Sequence, residues 1–240
     1  MREENRKNQG ILYGIGVGPG DPELMTLQAM RCLRESQVIL LPTTDKALSY
    51  AYRTAALACP EIEQKEIICL AFPMTKEPCE LERAHEDAYQ MIRPLLESKK
   101  VVAFLTIGDP CIYATFSYLQ KKVVEQTHAA CRLINGIPSF CAAAAAAGIS
   151  LAEQEEQIHI IPASYDVKDS LRLSGTKIYM KAGKKLGSLR ELLMQYEEDG
   201  LKVYSISEAT LPGERVVRGA KNLPMDSGYL TLVIVKGTVV

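Results

Sequence analysis

Apolar residues in the first half of the chain fall into short unbroken blocks separated by stretches of helical spacing. The blocks are Ile11–Ile15, Val38–Leu41, Ile67–Phe72 and Val101–Ile107, and a further strand is predicted at Cys131–Ile134. Val101–Ile107 shows no polar alternation, the pattern of a strand covered on both faces of a parallel sheet. After the first block, Asp21-Pro22-Glu23 supplies an N-cap, a proline at the first helical position and an acidic first turn, and the spacing predicts a helix continuing through Leu33. Further helices are predicted over Ala47–Ala58, along the face Leu81, His85, Ala88, Ile92 and Leu95 with Pro94 bending or ending it, over Ile112–Gln126, and over the alanine-rich Pro138–Ala147. Strand alternating with helix predicts an open, doubly wound parallel sheet with right-handed crossovers.

The second half has a different pattern. Strands are predicted at Ile158–Pro162, Lys177–Lys181, Lys202–Ile206, Arg215–Arg218 and Tyr229–Lys236, with helices near Asp166–Leu173 and Leu186–Glu198. The last two strands follow each other without a helix, which predicts a mixed sheet. The expectation is therefore an α/β protein of two domains, residues 1–136 with the open parallel sheet and 137–240 with the mixed one.

Composition narrows the function. Apolar residues make up 47% and charged residues 24% of the 240, ordinary for a folded protein. A net charge of −1 does not advertise the concentrated basic face of a nucleic-acid binder. The run Ile137–Ala152 is too short and too interrupted to span a bilayer, and Met1–Gly10 is too polar for a secretory leader. Seven cysteines, an odd number with no close pair, read as reduced thiols in the cytoplasm. His85, His128 and His159 lie far apart, none at ligand spacing from another His or Cys, so no protein-bound metal is expected.

Two segments could carry chemistry. Gly14-Ile15-Gly16-Val17-Gly18-Pro19-Gly20-Asp21-Pro22 lets backbone approach a ligand, or forms a tight turn with none. It fails the dinucleotide fingerprint, since the third glycine position is occupied by Pro19 or Asp21 depending on the starting glycine, and no P-loop sequence occurs. Gly108-Asp109-Pro110 closes a buried strand, where open α/β sheets bind ligands; Asp109 is either part of that site or an Asx turn.

The stretches GIGVGPGDPELMTL (Gly14–Leu27), FPMT (Phe72–Thr75), FLTIGDPCIYATFSYL (Phe104–Leu119) and GIPSFCA (Gly136–Ala142) resemble the tetrapyrrole methylase family. FPMT and the stretch around Tyr113 point within it to the branch that methylates C-20 of a corrin precursor, cobalt-factor II or precorrin-2. One departure is Ala114, where that branch has serine. The resemblance implies two α/β domains with S-adenosylmethionine folded in the cleft between them, S-adenosylhomocysteine as product, a tetrapyrrole in an adjacent trough, and a homodimer. Position by position it implies donor contacts at Pro19, Ile107, Gly108, Asp109, Ile112, Tyr113, Pro138, Ser139, Met180 and Ala209, with Lys181 and Glu208 beside the last two. Tyr113 is the candidate proton acceptor. Arg53, Arg83, Lys181, Lys184 and Lys185 are candidates for the substrate carboxylates, or are solvated surface charges. A family member acting at another carbon or on another substrate, or a non-catalytic tetrapyrrole-binding protein, stays open as an alternative.

Overall fold

The computed structural model describes residues 9–73, 75, 77–163, 167–196 and 200–238. Met74 of the FPMT stretch, the Asp166 and Glu198 ends expected for two helices, and most of Met1–Gly10 lie outside the described residues. The chain divides into two compact units, one ending at Pro138 and the other beginning at Ser139.

In the first unit, β1 (Ile11–Gly16), β2 (Val38–Leu41), β3 (Glu66–Cys69), β4 (Val101–Thr106) and β5 (Ala130–Ile134) form one parallel sheet in the order β3-β2-β4-β1-β5. Alternate residues feed two separate cores. Ile11, Tyr13, Ile15, Ile39, Leu41, Ala103 and Leu105 pack under α1 (Leu27–Glu35) and α2 (Tyr50–Ala58). Leu12, Val38, Leu40, Val102 and Phe104 pack under α3 (Pro78–Glu97) and α4 (Phe116–Gln126). Both faces being dry is why these blocks carry no polar alternation. The chain moves from β1 through β2 to β3 along one face and returns through β4 to β5 along the other, so the direction reverses between the neighbours β1 and β4. Their carboxyl ends flank the topological switch point, where such sheets bind ligands.

Three helix boundaries depart from the sequence pattern. Asp21 does cap, accepting from Glu23 N at 2.8 Å, but it opens only a 3-10 turn over Pro22–Leu24. α1 starts anew at Leu27 because Thr26 caps it, accepting from Ala29 N at 3.1 Å. α3 runs through Pro94 to Glu97: the ring removes one backbone donor, yet buried Leu96 holds the last turn in the same core as Ile92, and Ser98 N donates to Pro94 O at 3.0 Å. α4 begins at Phe116, four residues beyond the expected Ile112, because Tyr113 takes a left-handed backbone (φ 47°) that no helix tolerates.

In the second unit β6 (Ile158–Pro162), β7 (Thr176–Met180), β8 (Lys202–Ser207), β9 (Arg215–Arg218) and β10 (Thr231–Lys236) form a mixed sheet in the order β6-β7-β10-β8-β9. Only β6 and β7 are parallel. The small side chains Ala143, Ala144 and Ala147 of α5 (Ser139–Ala147) pack against Ile206, Leu232 and Ile234; Leu186, Leu189 and Leu193 of α6 (Leu186–Met194) pack with Tyr179, Val203, Val233 and Val235. Of the helix expected near Asp166–Leu173, the described residues form a 3-10 turn at Lys168–Arg172 rather than an α-helix.

Lys177, on β7, is 0% exposed. Burial pushes its ammonium pKa down, with Glu156 pulling the other way, and Nζ donates to Leu173 O and Gly175 O at 2.9 Å each and to Gly237 O. It thus ties the β6–β7 connection to the end of β10. Lys177→Met is expected to lower unfolding free energy by about 3 kcal/mol, because three carbonyls lose their donor together, a loss readable by urea titration.

Candidate active site

The turns after β1, β4 and β5 meet in direct backbone contact. Gly18 and Gly108 form an antiparallel bridge, Gly18 N donating to Gly108 O at 3.2 Å and Gly108 N to Gly18 O at 2.6 Å. Both sit at positive φ, 78° and 72°, so the pairing needs glycine on each side. Gly136 closes the group: a Cβ built there would lie 2.2 Å from Gly108 O and 2.7 Å from Gly16 C. Gly18 and Gly108 spend their N–H groups on each other, and α1 starts only at Leu27.

Asp109 fastens these turns from within. The residue is 7% exposed; Oδ1 accepts from Cys111 N at 2.7 Å, while Oδ2 accepts from Asn135 Nδ2 at 3.0 Å and Gly136 N at 3.1 Å. Burial pushes its pKa up, but the bonds from Cys111, Asn135 and Gly136 outweigh that and hold it below the usual carboxylate range. Asp109 thus forms the Asx turn of its own loop and also clamps the turn after β5. Cys111 is exposed beside it, its thiol pKa raised by burial and by the carboxylate.

Other expected site residues follow in the chain on these turns. Pro19 is buried within the glycine turn, Ile107 and Ile112 are half-buried, and Tyr113 is 47% exposed. Its left-handed backbone strains an aromatic residue by about 1 kcal/mol, a device common where geometry serves a site. Ala114 packs partly buried against the core of α3 and α4, an apolar setting that a methyl suits; its carbonyl accepts from Ser117 Oγ at 3.1 Å. Pro138 ends the first unit and Ser139 opens α5, both half-buried.

In the second unit Met180 ends β7 and Ala209 follows β8. β10 runs antiparallel to both, so the two ends come together beside its start: Ala182 N donates to Thr231 O at 3.0 Å, and Glu208 N to Leu230 O at 2.8 Å. Lys181 and Glu208, next to those positions, are left-handed at φ 58° and 51°.

Comparison with known proteins decides the family. The family model of Tetrapyrrole (Corrin/Porphyrin) Methylases matches residues 11–221. The chain belongs to the tetrapyrrole methylases. It is 34% identical over 229 residues to a protein of Methanocaldococcus jannaschii named probable cobalt-precorrin-2 C(20)-methyltransferase, covering 94% of this chain and 95% of that one. It is 28% identical to the cobalt-precorrin-2 C(20)-methyltransferase of Salmonella typhimurium, covering 87% and 88%. In fold it matches uroporphyrin-III C-methyltransferase from Thermus thermophilus, solved with S-adenosylhomocysteine, at a TM-score of 0.70 with 21% identity, covering 95% of this chain and 97% of that one.

Other candidates in this tetrapyrrole methylase have local explanations. His85 is buried, stacked on Tyr118 at 4.1 Å and tilted against Phe72 of the FPMT stretch at 5.9 Å, and burial lowers its pKa. No group of three His, Cys, Asp or Glu among the described residues could hold a metal ion. Among the described residues no helix is long and apolar enough to cross a membrane. Arg53 lies over the Tyr50 ring at 4.4 Å, Arg83 lines a shallow hollow on α3 with Glu82 and Glu86, and Lys181, Lys184 and Lys185 are exposed. Sequence reasoning missed two residues. Thr26 carried a signal, a threonine three residues before Ala29 at a helix start; Asn135 read only as a turn, because its partner Asp109 is distant in the chain.

Proposed function

We propose that this methylase transfers a methyl group from S-adenosylmethionine to C-20 of a corrin-precursor tetrapyrrole, cobalt-factor II or precorrin-2. The observation that carries the reading is the meeting of the β1 and β4 turns at the switch point, in a chain whose relatives bear C(20)-methyltransferase names. The residues suit the donor: backbone packs against backbone without side chains between, and half-buried Ile107 and Ile112 offer apolar flanks to an adenosyl group. We assign donor contacts to Pro19, Ile107, Gly108, Asp109, Ile112, Tyr113, Pro138, Ser139, Met180 and Ala209.

The donor supplies a methyl group already activated by its sulfonium, so the protein's task is alignment rather than nucleophilic attack. Rigid placement of reacting atoms can replace an effective concentration on the order of 10⁵ M or more. The glycine bridge and the Asp109 clamp provide that rigidity. As the methyl group leaves the sulfonium, giving S-adenosylhomocysteine, and the new carbon–carbon bond forms, C-20 must release its proton. We assign its acceptance to the hydroxyl of exposed Tyr113, which passes its own proton on to water. Tyr113→Phe is expected to lower kcat by about 10²-fold while leaving the Kd of S-adenosylhomocysteine unchanged, separable by titration and steady-state kinetics. Arg53, Lys181, Lys184 and Lys185 are our candidates for the substrate carboxylates.

Free thiols at all seven cysteines support a reducing, cytoplasmic setting, and we take the homodimer usual in the family as the working assembly. The deciding experiment incubates the purified protein with labelled donor and, in parallel, metal-free precorrin-2 and cobalt-factor II. Label at C-20 of either acceptor supports the reading, and label at another carbon or in neither overturns it.

A further inference from the structure

Asn135 joins the three structural parts of the first unit's site, although its own side chain is largely exposed. Its Nδ2 donates to Asp109 Oδ2 at 3.0 Å, and its carbonyl accepts from Thr26 Oγ1 at 3.2 Å. Thr26 is also the N-cap of α1, through its contact with Ala29 N. The adjoining Gly136 N donates to the same Asp109 oxygen. The turn after β5 is thereby bound on one side to the Gly108-Asp109-Pro110 turn and on the other to the start of α1.

We infer that Asn135 is a positioning residue for the methyl donor, acting through Asp109: its amide holds the carboxylate, and the carboxylate fixes the turn against which the donor lies. The inference rests on the donor site proposed above. The physical case is that Asp109 Oδ2 accepts from Asn135 Nδ2 and Gly136 N, and that the carboxylate's other side-chain partner, the Cys111 thiol, is only a weak donor. Removing the Asn135 amide leaves a buried carboxylate short of one charge-assisted bond and lets the turn relax. The titratable group set against this carboxylate is the Cys111 thiol, which raises no competing charge while protonated.

A variant of nearly the same shape gives a test that a bulk structural role would not pass. In Asn135→Asp the new carboxyl stands about where the amide stood, facing Asp109. Two carboxylates that close share one proton, so the pair's upper apparent pKa rises. With that proton present the new group donates to Asp109 as the amide does; without it, two negative charges face each other. S-adenosylhomocysteine is titrated calorimetrically into wild type, Asn135→Ala and Asn135→Asp across about pH 5 to 8.5, with melting temperature followed in each buffer. Asn135→Ala is expected to bind about tenfold more weakly at every pH. Asn135→Asp is expected to approach wild-type affinity at the acid end and lose it as pH rises, while wild type stays nearly flat and all three remain folded. In turnover the loss is expected in the donor's KM rather than in kcat. Wild-type affinity in both variants at every pH would overturn the inference, as would an equal, pH-independent loss in both. If wild type itself bound no S-adenosylhomocysteine, the donor-site reading would fall first and the inference with it.

Discussion

Gly136→Ala is expected to abolish donor binding and to destabilise the first unit by about 3 kcal/mol or more. The new methyl would stand 2.2 Å from Gly108 O and 2.8 Å from Gly16 O, and both obstacles are backbone. A flexible side chain could swing away, but these atoms move only if the β1 and β4 turns separate, which means breaking the Gly18–Gly108 bridge. Overpacking of this kind runs at about 1–3 kcal/mol where side chains absorb it, and more where the main chain must. Denaturant unfolding together with S-adenosylhomocysteine titration reads both effects. Near wild-type stability with intact binding would show that the turns are not packed as described.

Within the converging turns, Asp109→Asn is expected to be the next most damaging change. A carboxamide can keep its oxygen toward Asn135 Nδ2 and Gly136 N, but its NH2 then faces Cys111 N, donor against donor; the reversed orientation is worse by one bond. The loss should be about 2–3 kcal/mol at neutral pH. Its pH dependence has a definite sign. The folded carboxyl titrates below its unfolded value of about 3.9, so its contribution is complete above that value and disappears as pH falls through the lower folded pKa. Wild type and Asp109→Asn should therefore differ fully at pH 7 and converge in strong acid. A constant difference from pH 7 down to about pH 2 would show that the carboxylate's charge is not what the clamp uses.

Much of the fold was legible because burial on both faces leaves an unmistakable pattern. Val101–Ile107 and Val38–Leu41 had to be strands under helices on each side, and the turns closing β1 and β4 were recognisable by glycine, proline and aspartate. The helix starts were less legible, because capping is a competition. Asp21-Pro22-Glu23 has every attribute of a helix start, yet Thr26 cuts the helix again four residues before Met30. Tyr113 shows a different limit: nothing local in Cys111-Ile112-Tyr113 announces a left-handed aromatic residue. Asn135 shows a third, because a side chain's partner 26 residues away becomes visible only when β4 and β5 lie on either side of β1. Met180 and Ala209 were reached through resemblance alone. Their common place beside the start of β10 follows from strand directions that periodicity does not give.

The most direct test of the converging turns as a methyl-donor site is a thermal melt of the unmodified protein with and without S-adenosylhomocysteine at about a hundred times its Kd. Specific binding to the folded state should raise the melting temperature by about 5–10 °C, and NAD at the same concentration should leave it where it was. A melting temperature unmoved by S-adenosylhomocysteine, or moved equally by NAD, would contradict the account.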